Sequence, residues 1–186
     1  MKAPDYVEPI IAWRAWLVVA EEEEIRLSSV IYRSAWPPRA ELEADCHRTV
    51  FSFPRVWQKK PSGHSAPAEK CRCGIHGARD ADRAAGYVAN ALWRDEPLRW
   101  PLLHRAIGRV ALWGTVVECE DGWRASRAYP QRIYLPTRGQ SDDGRAEPRE
   151  LAAALSGYGV PVELIDCDVT NGDGVLSALE ARAAVG

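Results

Sequence analysis

Ile107-Gly-Arg-Val-Ala-Leu-Trp-Gly-Thr-Val-Val-Glu-Cys119 is apolar on both sides of a two-residue repeat, with Ile107, Ala111, Trp113 and Val117 opposed to Val110, Leu112 and Val116. Side chains alternate along a strand, so this pattern predicts a strand, the strongest in the sequence. Gly108 and Gly114 fall where a bulge, or a sharp coil of the kind small barrels use, would interrupt it. Asp121-Gly122 predicts a hairpin turn, after which Trp123, Ala125, Arg127 and Tyr129 make one face of the returning strand. A further short strand is expected over Arg132 to Leu135, ended by Pro136.

The segments before this hairpin extend the β-rich reading. Residues 10–19 alternate with apolar groups on both faces and 25–32 return as a second strand, with Glu21 to Glu24 as a charged turn; four adjacent carboxylates cannot all reach one ion. Trp36-Pro37-Pro38 ends that strand because neither proline donates to a ladder. Arg39 to Asp45 lead, extended or as one helical turn, into Cys46. Val50 to Trp57 reads as one short strand broken at Pro54, and Lys59 to Lys70 as a polar loop. Ala81, Ala84, Ala85, Val88, Ala91 and Leu92 are spaced as on an amphipathic helix over 78–94, with Asp80 as its cap and Pro97 beyond its end.

Thr137 to Glu147 reads as a mobile surface loop. Beyond it come a helix opened by Pro148 and closed by Gly157 or Gly159, a strand over Val160 to Cys167 and a helix over Val175 to Ala184. The expected fold class is α+β: a twisted antiparallel sheet or small barrel with a zinc knot and two to three peripheral helices. A β-rich domain over 1–136, the loop 137–147 and a C-terminal extension over 148–186 packed on the same domain make up the expected organisation.

A chain of 186 residues suits one domain. Its net charge of −2 offers no general attraction for nucleic acid or an anionic membrane, and arginine provides 20 of the 24 basic residues. No signal-peptide order stands near the N-terminus, and the apolar run from Ile10 is too short to span a bilayer and is broken by Arg14. A cytoplasmic location is expected. In a reducing compartment clustered thiols point to metal or to plain burial.

That clustering is dense in His64-Ser-Ala-Pro-Ala-Glu-Lys-Cys71-Arg-Cys73-Gly74-Ile75-His76, with Cys46-His47 upstream. Thiolate sulfur and imidazole nitrogen are the ligands of structural zinc. Cys71 and Cys73 project the same way from an extended backbone, Cys46 is the natural third ligand, and His64, His76 or His47 is the fourth. Buried unliganded thiols and redox use are the competing readings. Cys119 and Cys167, on expected core strands, read as small apolar residues. Around Gly174, Asn171, Asp173, Ser177 and Glu180 fit positions of a calcium loop, but Val169 stands where an aspartate is required, so calcium at 168–180 is disfavoured against a turn capped by Asp173.

Cys71-Arg-Cys73-Gly-Ile-His76, Gly108-Arg-Val-Ala-Leu-Trp113-Gly114, Gly122-Trp-Arg-Ala and Ala128-Tyr-Pro130 resemble a set of uncharacterised bacterial proteins built around a Cys-x-Cys-Gly-Ile segment. The resemblance covers roughly residues 10–135, touches Tyr158-Gly-Val-Pro161 and carries no activity. Tyrosine often replaces His76 in that set, which favours His64 as the ligand. The expected metal set is therefore Cys46, His64, Cys71 and Cys73, with His76 as the alternative.

Eight tryptophans suggest an aromatic-rich core or an aromatic wall for a ligand. Two functional classes are carried forward. One is a zinc-stabilised recognition module in which Trp113, Trp123, Arg124 and Tyr129, with Arg127, line a pocket or partner surface for a protein or small molecule. The other is a zinc-dependent hydrolase with an open metal position and Glu118, Glu120 or Asp121 as base. Single-stranded nucleic acid is a third partner class, weakened by the missing net positive charge. No membrane partner is expected.

Overall fold

The computed structural model describes residues 8–31, 34–52, 56–61, 63–89, 100–139 and 146–184, with backbone alone over 47–52 and 56–61. Its elements are β1 (Ile10–Glu21), β2 (Glu24–Ser29), β3 (Leu42–Glu43), β4 (His47–Ser52), β5 (Val56–Pro61), β6 (Ile75–Ala78), α1 (Ala81–Ala89), β7 (Leu102–Cys119), β8 (Gly122–Arg138), α2 (Pro148–Leu155), β9 (Val162–Asp168) and α3 (Gly172–Ala183). Seven strands form one mixed sheet, and β4 and β5 form a separate two-stranded one. The class is α+β. Among the described residues no helix is long and apolar enough to cross a membrane.

The hairpin β7–β8 is the spine. Its two-residue loop is Glu120-Asp121, one residue earlier than expected, since Cys119 pairs with Gly122. β7 pairs along one edge of β8, while β6, β3 and β9 take successive lengths of the other. β7 also pairs with β1, whose far edge carries β2 and touches β6 through Trp13 opposite Ala78. Pairing thus returns on itself through β1, β7, β8 and β6, so the sheet is tightly coiled, and that return rests on a single residue pair.

The expected antiparallel sheet is corrected at β9, which runs parallel to β8. Parallel neighbours need a crossover, and α2 provides it. The break expected at Pro136 is also absent, because β8 continues through both Pro130 and Pro136. Each proline adjoins a register shift, one against β7 and one against β9, where a missing N–H costs no ladder bond. The bulges expected at the glycines are present: register shifts occur at Arg109/Val110 and between Trp113 and Val116, where Gly114 has φ 78°. A left-handed backbone there favours glycine.

Alternation along β1 sends Ala12, Trp16 and Val18 into one core and Trp13 and Ala15 towards another. The first core, on the α2 side, stacks Trp16 edge-on against Trp36 at 5.7 Å and includes Leu112, Ile133, Leu151 and Tyr158. The second joins Ala84, Ala85 and Val88 of α1 to Ile165, Val175 and Leu179. The buried Tyr158 hydroxyl accepts from the Leu27 N–H at 2.9 Å and donates to the Trp36 carbonyl at 2.7 Å.

Other boundaries move by a few residues. α1 starts at Ala81, and residues 90–94 of its expected span lie outside the described residues, as do Tyr32, 140–145 of the expected loop, Trp93 and the Trp57 side chain. α3 starts at Gly172, three residues early, because Asn171 and not Asp173 caps it, accepting from the Gly174 N–H at 3.2 Å. The single strand expected over Val50 to Trp57 is replaced by the β4–β5 hairpin.

The β1–β2 turn places two glutamates in left-handed conformations, Glu22 at φ 48° and Glu23 at φ 71°. Two such residues are what a type I′ hairpin needs, and Asn-Gly adopts them with less strain. Replacing both (Glu22→Asn with Glu23→Gly) is therefore expected to raise the melting temperature by about 2–4 °C for each kcal/mol of strain relieved. A lowered melting temperature would show that the turn is stabilised by something other than its backbone.

Candidate metal centre

Cys46 and Cys73 meet because two short strands share one edge of β8. β3 runs down that edge to Ala44, whose N–H donates to the Ser126 carbonyl at 2.8 Å, and β6 resumes it at Ile75 opposite Ala125. The chain leaves the edge after Ala44 and rejoins it before Ile75. Cys46 and Cys73 each stand two residues from that break. Between them the chain goes out as β4 and returns as β5, and His47 opposite Pro61 sets the two ends of the excursion side by side. His64 follows directly, and a turn closed by the Cys71 N–H on the Ala68 carbonyl at 3.0 Å delivers Cys71.

The four side chains converge. Cys46 Sγ lies 3.7 Å from Cys71 Sγ, Cys73 Sγ lies 3.5 Å from His64 Nε2, and all four ligand atoms are within 4.8 Å of one another. A tetrahedral zinc with bonds of about 2.3 Å to sulfur and about 2.0–2.1 Å to nitrogen has S···S edges of about 3.8 Å and S···N edges of about 3.6 Å. Both observed distances match such edges, and the thiols are too far apart for a disulfide. The cluster is suited to a metal ion such as zinc. His76 is not part of it: its Nε2 lies 3.0 Å from the Arg72 carbonyl. The His47 side chain lies outside the described residues.

The thiols differ in acidity. The Cys73 N–H, followed by the Cys73 and Cys46 thiols, lowers Cys71 to about 7, while burial raises Cys73. Cys167 is buried, as its strand position suggested, and raised by that burial to about 11. Cys119 is only half-buried, and its sulfur accepts from Arg124 Nε at 3.2 Å.

Arg124 is the support that sequence reasoning missed. It is buried, and its Nη1 donates to the carbonyls of Cys73 at 2.8 Å, Ala68 at 3.3 Å and Cys71. One guanidinium thereby fixes the backbone on either side of two ligands. Gly74 permits this approach, since at φ 115° a β-carbon would stand 2.9 Å from Pro67 Cβ and 3.1 Å from Arg124 Cβ. The legible signal was an arginine on a core strand with no acidic neighbour in its hairpin register, where it pairs with His76 and Val117.

The other residues singled out for a recognition surface are distributed. Trp123 is half-buried beneath Arg79, whose Cζ is 4.5 Å from the ring centroid, and Arg124, next along the strand, projects to the opposite face. Tyr129 accepts from the Arg39 N–H at 2.6 Å and donates to the Tyr158 carbonyl at 2.8 Å. Trp113 is half-buried opposite Arg127, which pairs with Glu41 and Glu43. Of the carboxylates considered as bases, Glu118 pairs with Arg79 and Asp121 with Arg83. The segment 168–180 is a strand end, a turn in which Asp168 accepts from Thr170, and the Asn171-capped helix.

No family model matches the chain, and no curated protein or solved structure shows a significant match.

Two outcomes test this arrangement. Arg124→Met leaves buried carbonyls unsatisfied at about 1–3 kcal/mol each, so it is expected to lower the melting temperature by several degrees and weaken metal binding about 10–100-fold. Competition with a chromogenic chelator measures the second effect, and unchanged values for both would remove Arg124 from the support. In chelator-treated protein, Cys71 is expected to be alkylated by iodoacetamide first near neutral pH and Cys167 last. Because the Cys71 pKa is depressed, its thiolate contributes to apo-protein stability above the ordinary thiol value of 9.0, and that contribution is lost as pH falls through about 7.

Proposed function

We propose that the chain is a zinc-stabilised recognition module whose metal ties three separate stretches of backbone to one sheet edge. The observation that carries this is the convergence of Cys46, His64, Cys71 and Cys73 with their ligand atoms within 4.8 Å of one another and two of the distances at tetrahedral edges. Three thiols and one imidazole form a soft set of the kind zinc takes, and four protein ligands close the site, leaving no position for an activated water. That favours a structural role over the hydrolase. Charge supports the same reading: a zinc dication with three thiolates and a neutral imidazole carries one net negative charge, which would balance the buried Arg124 cation beside it.

In this reading the resemblance to Cys-x-Cys-Gly-Ile proteins acquires physical content. The cysteines are ligands, Gly74 makes room for Arg124, and Ile75 is the buried first residue of β6. Trp113 and Trp123, half-buried on the β7–β8 hairpin, are available to a partner surface, whereas Trp16 and Trp36 belong to the core.

Protein prepared without chelator is expected to contain close to one zinc per chain by elemental analysis, and finding no metal would defeat the proposal. Cys73→Ser, or chelation, is expected to lower the melting temperature by more than about 5 °C, because a ligand bound only by the folded state adds its binding free energy to stability. A metal lost without change in melting temperature would make the ion adventitious.

A further inference from the structure

The four clustered side chains are not equivalent towards solvent. Cys46 and Cys71 are half-buried and His64 is exposed, while Cys73 is buried. The two half-buried sulfurs also face each other, with Cys46 Sγ 3.7 Å from Cys71 Sγ, whereas Cys73 Sγ stands 3.5 Å from the His64 imidazole. A disulfide holds its sulfurs about 2.05 Å apart, so joining Cys46 to Cys71 takes less than about 2 Å of sulfur movement. Neither residue lies within a strand: Cys46 comes between β3 and β4, and Cys71 follows β5 in the turn before β6. No ladder bond resists the approach. The other pairing open to Cys71, with Cys73, must close a ring across a single residue, and Arg124 holds the carbonyls of both residues against it.

We infer, resting on the zinc proposal, that Cys46 and Cys71 are the oxidation site of the cluster: hydrogen peroxide couples their sulfurs into a disulfide and thereby releases the metal. One thiolate sulfur takes an oxygen from the peroxide, whose O–O bond breaks with loss of hydroxide, and becomes a sulfenic acid. The second thiolate attacks that sulfur, the S–S bond forms and a second hydroxide leaves. Two protons from solvent turn the hydroxides into water, so the sulfur pair gives up two electrons and the peroxide accepts them. The ion then keeps only Cys73 and His64, two donors where zinc takes four, and dissociates. Because Cys46 precedes β4 and Cys71 follows β5, the disulfide still closes the excursion between them. The donors therefore stay placed for reloading once a dithiol reduces the bond.

The test treats the intact, zinc-loaded chain with excess hydrogen peroxide. A chromogenic chelator reads the released metal, and the disulfide is assigned by alkylating free thiols in denaturant and mapping tryptic peptides. Cleavage after Arg48, Lys70 and Arg72 puts Cys46, Cys71 and Cys73 in separate peptides, so each pairing is told from the others. About one zinc is expected to leave for each disulfide formed, with Cys46 linked to Cys71 and with Cys73, Cys119 and Cys167 recovered as alkylated thiols. Dithiothreitol followed by zinc is expected to restore the metal. Zinc retained under peroxide overturns the inference. So does release accompanied by a Cys71–Cys73 linkage or by sulfinic acids in place of a disulfide, and so does a loss that reduction and zinc fail to reverse. Chain stripped by chelator is oxidised in parallel, and Cys46 linked to Cys71 is the expected product there too. A chain isolated without zinc defeats the zinc proposal, yet that linkage in the same chain upholds the oxidation site, so the two failures are distinguishable.

Discussion

A strand has two hydrogen-bonding edges, and β8 gives one of them to β7. Everything else that needs β8 must share the second edge, which is divided among β6, β3 and β9. The division leaves a junction between Ser126 and Ala125, where one strand departs and another arrives. Backbone on both sides of a junction lacks the ladder that would hold it in place. The cluster of Cys46, His64, Cys71 and Cys73 occupies that position, where a metal ion held by it would substitute for missing strand pairing.

Two guanidiniums, the buried Arg124 and the half-buried Arg14, complete the junction. Arg124 binds the carbonyls that lead into β6, and Arg14 donates to the His76 carbonyl within β6, reaches Ser29 Oγ at 3.1 Å and lies 4.9 Å from the centre of the Trp36 ring. Burial lowers Arg14 to about 10, and neither arginine pairs with a carboxylate among the described residues. Their bonds go to neutral groups, the backbone carbonyls, the Ser29 hydroxyl and the Cys119 sulfur, with the Trp36 ring beside Arg14, and such groups hold a cation without adding a second buried charge. β6 is only four residues long, and this is how so short a strand is kept in register.

How much of this was legible follows from where the deciding interaction lies. The two-residue repeat of 107–119 and its glycines are local properties, so the strand and both bulges could be read from the residues. Cys71 and Cys73 lie close in sequence, Cys46 was found by ligand chemistry because the zinc-type donor set is small, and His64 was preferred to His76 through the resemblance. Pro130 and Pro136 misled because the tolerance for proline depends on a partner strand's register, which no local pattern records. The β4–β5 hairpin was obscured by reading 50–57 as one strand. Arg124 was expected at a surface since arginine usually is; only its placement beside three carbonyls explains its burial. Asn171 displaced Asp173 as a cap because the helix began earlier than its apolar periodicity.

The edge junction also fixes an order of events during synthesis. All four ligands precede β8, and the surface that aligns them is completed only when residues 122–128 leave the ribosome. At about 5–20 residues per second, the thiols of Cys71 and Cys73 wait for about 3–10 s without the strand that orients them. Under the zinc proposal the segment would be, during that interval, a flexible chelate with no preference for tetrahedral spacing, open to whichever soft cation is most available. Under the same proposal, discrimination between metals would arise late, as β8 docks, and the nascent chain would depend on the cell's supply of ions before it could depend on its own geometry.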